Sequence, residues 1–138
     1  MNREEIFDFV RRHPTSYMAT VDGVEPRVRG MQTAHINEDG LTFCTGVHKS
    51  VYKQLTDNPR VELLYWSPEA GLQLRLRGRM SQLDSLDLKM WIVQEVFTFL
   101  KPVVEKHGYE SLGLFRLESG EYKIWNCNNG GSEEAGAF

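Results

Sequence analysis

The sequence predicts an α+β fold that is mainly β: an antiparallel barrel of about six strands with helices packed on its outside. Short runs rich in β-branched and aromatic residues recur along the chain, as strands require. Stretches with apolar residues at helical spacing lie between some of them. The strands are joined by turn-forming pairs, namely Asp22-Gly23, Asp39-Gly40 and Ser119-Gly120.

The N-terminal third is predicted to form a short helix followed by a hairpin. Asn2 and Glu5 have the spacing of a capping box, and the helix should run to about Arg12, before Pro14 stops it. Residues 15–21 are predicted to be a strand. Residues 26–36 are predicted to return as its partner across the Asp22-Gly23 turn.

The middle of the chain is predicted to alternate strands with one helix. Residues 41–45 and 61–66 are apolar enough for strands, and a helix capped by Ser50 is expected between them. Residues 72–78 alternate strictly between leucine and polar side chains, so this strand should bury its leucines. Residues 80–83 extend it.

The last third is predicted to form a long helix and a closing hairpin. The helix should begin at Asp84 or Ser85 and run to about Leu100, with an apolar face broad enough to meet a second subunit as well as the barrel. A short helical turn ending at Gly108 follows. Residues 111–117 and 122–125 are predicted to pair across Ser119-Gly120. We expect one domain over residues 1–127 and a mobile polar tail over residues 128–138.

Composition excludes several classes of function. The net charge of −3 argues against a nucleic-acid or anionic-membrane surface, and the polar N-terminus has no hydrophobic signal region, so we expect a cytoplasmic protein. The two cysteines and four histidines lack ligand spacing, and no metal site is predicted. No hydrolase elbow, phosphate loop or dinucleotide fingerprint occurs, so catalytic residues stay unknown.

Two stretches of the sequence favour binding of an anion. Thr45, Gly46, Lys49 and Ser50 combine a turn, a lysine, two hydroxyls and the start of a helix, which suits a phosphate monoester. The alternative is an ordinary capped junction between a strand and a helix. In residues 27–29, two arginines alternate and so share one face of a strand, where they need carboxylate partners or an external anion.

Taken in order, these stretches resemble the pyridoxamine 5′-phosphate oxidase-like family of FMN-binding split β-barrels. The resemblance lies in residues 17–29, in Phe43-Cys44-Thr45-Gly46 with residues 49–55, and in residues 58–63. It implies a six-stranded antiparallel split β-barrel with flanking helices, with FMN at the interface of a homodimer. The word "split" and the cofactor come from the resemblance alone.

The resemblance also implies which residues hold the flavin. Phosphate binding falls to Arg27, Arg29, Lys49 and Ser50, and contacts to the ribityl chain and ring fall to Val28, Gly30, Met31, Thr45, Gly46, Gln54, Gln73 and Trp125. Trp66 is the alternative to Trp125 for an aromatic contact from the second subunit. For either tryptophan, a core position is an equally good interpretation.

The resemblance leaves the reaction open. Residues 32–35 are more polar than the family pattern, and the chain is short beside true pyridoxamine 5′-phosphate oxidases and lacks a convincing pyridoxal phosphate set, so vitamin B6 oxidation is not expected. Three functions remain: an FMN-dependent oxidoreductase of unknown substrate and electron donor, a flavin-binding electron carrier without turnover, and a barrel that binds another anionic ligand.

Overall fold

The fold is an open antiparallel barrel with four helices, described by a computed structural model of residues 1–138. The helices are α1 (Arg3–Arg12), α2 (Ser50–Asp57), α3 (Leu86–Trp91) and α4 (Lys101–His107). The strands are β1 (Thr15–Asp22), β2 (Glu25–Gln32), β3 (His35–Asn37), β4 (Gly40–Gly46), β5 (Arg60–Ser67), β6 (Leu72–Leu83), β7 (Leu112–Asn126) and β8 (Ser132–Ala137). The predicted fold class is confirmed, with eight strands rather than six.

All eight strands belong to one sheet, whose order is β2-β1-β5-β6-β7-β4-β3 with β8 added to β7. The terminal strands β2 and β3 are not paired with each other, so the barrel is split between them. The two residues that connect β2 to β3, Thr33 and Ala34, bridge this gap. The N–H of Thr33 donates to the carbonyl of Pro14, just before β1, and the N–H of Ala34 donates to the carbonyl of Thr42 in β4. Consecutive residues therefore join the two ends of the sheet.

The barrel interior is filled by alternate side chains of the strands. Leu74 and Leu76 are fully buried there, as the leucine alternation of β6 predicts, whereas Leu72 is only partly buried. Leu63 and Tyr65 of β5 are fully buried beside them. Helix α1 closes one side with residues such as Phe7, and its predicted capping box is present. A smaller apolar cluster contains Cys44 of β4 together with Ile92, Val93 and Phe97 from the segment after α3.

The predicted strand over residues 26–36 is wrong in its extent. It breaks at Thr33 and Ala34, because the chain leaves β2 at one end of the sheet and enters β3 at the other. Local β-favouring composition cannot reveal a crossing between sheet ends.

The predicted continuous helix up to Leu100 is also wrong. Helix α3 starts as expected after Ser85, whose hydroxyl accepts from the N–H of Leu88, but it ends at Trp91. A π-helical turn, Ile92–Val96, follows, and then a 3₁₀ turn, Thr98–Leu100. Phe97 lies between them with φ −104° and ψ 63°, outside the helical range.

The predicted closing hairpin at Ser119-Gly120 does not exist. Strand β7 runs through these residues without a turn and pairs with β6 along its length. Gly78 and Gly120 face each other at an irregularity in this pairing, where a Cβ on Gly120 would collide with the Arg77 carbonyl. The glycine is therefore required by close approach of two backbones, not by a turn.

The C-terminal residues carry more regular structure than their polar composition indicates. Ser132–Ala137 pairs with β7 over residues 121–126, although all six side chains are exposed. The Met1 ammonium contacts Glu134 at 2.6 Å and Tyr122 at 2.7 Å, which links the two ends of the chain. No helix is long and apolar enough to cross a membrane.

Candidate functional site

A cavity of about 490 Å³ lies where the end of β2, the turn after β4 and the start of α2 meet residues 97–103. We call it the cationic cavity. It brings together six of the residues that the sequence proposes for a ligand site, namely Arg29, Gly30, Met31, Thr45, Gly46 and Lys49. A cavity of this size and mixed polarity is typical of a cofactor or small-molecule site.

Arg29 is held in the cavity by three hydrogen bonds. Its guanidinium donates to Gln54 Oε1 at 2.6 Å, to Thr20 Oγ1 at 2.7 Å and to the Met18 carbonyl at 3.2 Å. Thr20 itself donates to the same Gln54 oxygen at 2.6 Å. Neutral acceptors on β1 and α2 thus hold the side chain in one orientation.

The positive charge of Arg29 has no acidic partner. Neither Arg29 nor Lys49 takes part in any ion pair, and no aspartate or glutamate lines the cavity. Partial burial lowers the pKa of the Arg29 guanidinium, which shows that the charge is held at a cost in solvation. A half-buried, oriented guanidinium without a carboxylate is suited to an external anion.

Helix α2 adds to this electrostatic field. Its N-cap is Lys49, not the predicted Ser50, and no side chain caps its first turn. The first turn also lacks an acidic residue. The free N–H groups and the partial positive charge of a helix start therefore lie beside the cavity. Ser50 takes the first helical position instead, because Lys49 already has the extended backbone of a cap.

The structure does not bring Ser50, Gln54 and Arg27 into the cationic cavity. Ser50 and part of Gln54 line a neighbouring cleft that also contains Asp22 and Asp57. Arg27 is exposed on β2, and its Nε donates to Asp22 Oδ2 at 3.2 Å. Both of these side chains are about half exposed, so this ion pair is weak.

Four other proposed residues lie on the opposite side of the sheet. Cross-strand register places Val28 on the same side as Tyr17, and it places Trp66, Gln73 and Trp125 side by side on three neighbouring strands. We call this side the outer face. Val28 is 69% exposed and Tyr17 is 56% exposed, so the outer face presents apolar surface to solvent. None of these residues is a core residue.

The reactive side chains near the cavity are few. Cys44 lines it, but burial raises the pKa of its thiol to about 11, so it is not a ready nucleophile. His48 is exposed and its ring covers Gly46, where a Cβ would come within 2.8 Å of it. No group of three or more His, Cys, Asp or Glu side chains comes together that could hold a metal ion.

Sequence reasoning missed the apolar side of the cavity and one partner of Arg29. The missed lining residues include Phe97, Phe99, Leu100 and Val103. We call these four the apolar wall. Their positions depend on the irregular turns after α3, for which the sequence has no evident signal. The sequence predicts Thr20 only as a strand residue, although the Asp22-Gly23 turn fixes the β1–β2 register that brings it near Arg29.

Comparison with known proteins identifies relatives of the chain. A family model described as pyridoxamine 5′-phosphate oxidase matches residues 3–116. A pyridoxine/pyridoxamine 5′-phosphate oxidase from Deinococcus deserti is 37% identical over 71 residues, which are 51% of this chain and 33% of that protein. The match therefore spans about a third of the length of that curated relative.

Solved structures share the fold at low identity. A NimC/NimA family protein from Clostridium acetobutylicum superposes with a TM-score of 0.77 at 22% identity, covering 98% of this chain and 91% of that one. A pyridoxamine 5′-phosphate oxidase-related, FMN-binding protein from Nostoc punctiforme gives a TM-score of 0.66 at 17% identity, covering 99% and 95%. Both likenesses extend over nearly the whole chain.

Proposed function

Because this chain belongs to the pyridoxamine 5′-phosphate oxidase family, we propose that it binds FMN in the cationic cavity and acts as a small FMN-dependent oxidoreductase. The observation that carries this proposal is the Arg29 guanidinium, held by three neutral acceptors and without a carboxylate. The FMN-binding relative from Nostoc punctiforme has the same fold. The substrate and the electron donor stay unassigned.

The residues of the cavity fit the phosphate of FMN. Arg29 and Lys49 offer two positive charges, which match a phosphate dianion, and the uncapped start of α2 offers backbone N–H donors. We assign the phosphate to Arg29, Lys49 and this helix start. Thr45 offers a hydroxyl group within the cavity, whereas Ser50 and Arg27 lie outside it, and Arg27 is paired with Asp22.

The rest of the cavity fits a ribityl chain and a planar ring. Gly30 has no atom within 4 Å of where a Cβ would stand, so its backbone is open to the cavity, and Met31 supplies apolar surface. Gly46 also lines the cavity, beside the His48 ring. Gln54 acts indirectly, since its oxygen is bonded to Arg29 and Thr20. When bound, FMN supplies the redox chemistry that no side chain of the cavity offers.

We assign Val28, Gln73 and Trp125 to a homodimer in which the outer face of one chain covers a second copy. Exposed apolar surface on Tyr17, Val28 and Trp66 supports this arrangement. Strand β2 buries none of its eight side chains fully, so a second subunit is the natural cover for it. In this arrangement the second subunit's Gln73 and Trp125 complete the flavin site.

An absorbance spectrum of the purified protein tests the cofactor. We expect flavin bands in the blue and near ultraviolet that persist after FMN is added and the excess removed, at about one equivalent per chain. Charge reversal of Arg29 by Arg29→Glu should abolish them while circular dichroism stays unchanged. A wild-type protein that stays colourless after loading contradicts the proposal and leaves the fold intact.

Stopped-flow reduction tests the oxidoreductase activity. The FMN-loaded protein is mixed with NADH and, separately, with NADPH, and the loss of flavin absorbance is followed. A rate that saturates with nicotinamide concentration indicates a bound electron donor and supports an enzyme. A slow, non-saturable rate with both donors contradicts direct reduction by nicotinamide and favours an electron carrier.

A further inference from the structure

The apolar wall opposite the cations is built by an unusual stretch of backbone. After α3, the N–H of Phe97 donates to the Ile92 carbonyl at 2.7 Å, five residues back, and the N–H of Leu100 donates to Phe97 at 2.9 Å. The chain therefore passes from α-helix through a π turn and a 3₁₀ turn within residues 86–100. Single π turns of this kind occur frequently at functional sites.

This backbone allows two phenylalanines to line the same cavity. In a regular α-helix, residues two apart point in directions about 160° apart, to nearly opposite sides of the helix. Phe97 and Phe99 nevertheless both line the cationic cavity, and their ring centroids are 5.6 Å apart at 42°. The irregular turn is what brings both rings to one side.

The two rings differ sharply in exposure. Phe97 is 7% exposed and packs into the smaller apolar cluster, whereas Phe99 is 72% exposed. An exposed phenylalanine at the edge of a cavity leaves a large aromatic surface in water, which a flat apolar ligand would cover. Leu100 and Val103 continue this surface without a polar atom in their side chains.

The charges of the cavity further limit the ligand. Arg29 and Lys49 carry two positive charges, and no acidic side chain lines the cavity. In the proposed function a phosphate dianion neutralises both. The rest of the lining holds no further Lys or Arg and is apolar along the wall of residues 97–103, so burying a charged group against that wall would cost solvation free energy.

We propose that the apolar wall is the substrate-binding surface of the site and that it selects planar, uncharged aromatic molecules, with Phe99 as the residue that determines specificity. This inference rests on the proposed function, because the neutral cavity requires the FMN phosphate. It places the substrate against residues 97–103 and the cofactor phosphate against Arg29 and Lys49.

Equilibrium dialysis of the FMN-loaded protein tests this selection without an activity assay. The probes are 2-naphthol, which is planar and uncharged, 2-naphthoate, N-methylquinolinium, and decahydro-2-naphthol, which is uncharged but not planar. We expect 2-naphthol to bind at least about tenfold more tightly than each of the other three. Equal affinity for a charged or non-planar probe overturns the inference.

Variants of Phe99 test whether this residue is responsible for the binding of 2-naphthol. Phe99→Ala should weaken 2-naphthol binding about tenfold, and Phe99→Leu less, since it keeps apolar surface but loses the ring. Leu86→Ala is the matched control: Leu86 is 57% exposed on α3 but does not line the cavity. Unchanged 2-naphthol binding in Phe99→Ala, or an equal loss in Leu86→Ala, overturns the inference.

Two further readouts separate this inference from its alternatives. If Phe99→Ala weakens FMN binding as much as 2-naphthol binding, the wall holds the cofactor and the inference fails. If the variant becomes monomeric in sedimentation, Phe99 contacts a second copy, and the inference fails again. A wild-type protein that retains no FMN refutes the proposed function instead. The comparison of wild type with Phe99→Ala for 2-naphthol alone then still decides the role of the wall.

Discussion

Replacing Arg29 by methionine removes the charge that the structure orients toward the cationic cavity while keeping a side chain of similar length. The guanidinium is bonded to Gln54, Thr20 and the Met18 carbonyl and has no acidic partner. After the substitution, Thr20 can still donate to Gln54. The change therefore leaves no charge uncompensated, and the fold should persist.

The expected loss of FMN affinity follows from the energy of one charge-assisted hydrogen-bonded contact. Hydrogen bonds to charged groups contribute about 1.5–3 kcal/mol. Since about 1.4 kcal/mol corresponds to a tenfold change in affinity, the dissociation constant of FMN should rise roughly 10- to 150-fold in Arg29→Met. The free energy of unfolding of the apoprotein should fall by about 1 kcal/mol or less, because Arg29 is only partly buried and its removal also ends the desolvation of its charge.

Quenching of FMN fluorescence measures the dissociation constant, and urea unfolding measures the stability. Arg29→Lys should lie between wild type and Arg29→Met, because it keeps the charge but loses the two-pronged geometry of the guanidinium. Arg79→Met is the matched control, since Arg79 is an exposed arginine that makes no ion pair. Equal effects of Arg29→Met and Arg79→Met on FMN affinity would refute the reasoning.

Three further outcomes follow from the buried groups and from the contact between the chain ends. A thiol reagent at pH 8 should label exposed Cys127 quickly and Cys44 slowly, because burial raises the pKa of Cys44 to about 11; two fast equivalents per chain would contradict this. The hydrogen bond from the Met1 ammonium lowers the pKa of Glu134, so the contribution of this contact to stability is present at neutral pH and is lost as the pH falls through that lowered pKa. In Glu134→Gln, the free energy of unfolding in urea should therefore fall less steeply as the pH is lowered. An unchanged dependence on pH would exclude the contact. Leu74→Ala should cost about 2–5 kcal/mol in the free energy of unfolding, because Leu74 is fully buried in the barrel, and a loss below about 1 kcal/mol would contradict this packing.

The parts of the fold that the sequence predicts are those decided by local chemistry. The capping box of α1, the Asp22-Gly23 turn and the leucine alternation of β6 each act within a few residues, and all three occur in the structure. The Ser119-Gly120 pair has the composition of a turn, but its glycine is required because the Arg77 backbone on the neighbouring strand leaves no room for a Cβ. A contact 43 positions away in the chain cannot be read from the pair itself.

The same distinction applies to the candidate site. Arg29, Thr45, Gly46 and Lys49 lie in two short stretches whose residue types indicate an anion, and the structure brings them into one cavity. The apolar wall was not predicted, because Phe97 and Phe99 share a side only after the helix departs from its regular period. That departure begins at Ile92 and Val93, which are buried against residues distant in the chain, such as Cys44 and Leu114.

In the proposed dimer, strand β2 would lie between the bound ligand and the second subunit, and this placement predicts a measurable consequence. Its side chains alternate between Arg27 and Arg29, on the side of the cationic cavity, and Val28, on the outer face. A ligand that orders the strand from one side lowers the cost of covering it from the other. Because such coupling is reciprocal, FMN should tighten the proposed dimer by the same factor by which dimerisation tightens FMN. Sedimentation with and without FMN measures that factor, and Val28→Glu, which places a charge on the outer face, should reduce both affinities together. Full FMN affinity in a monomeric Val28→Glu protein would show that one chain holds the flavin alone.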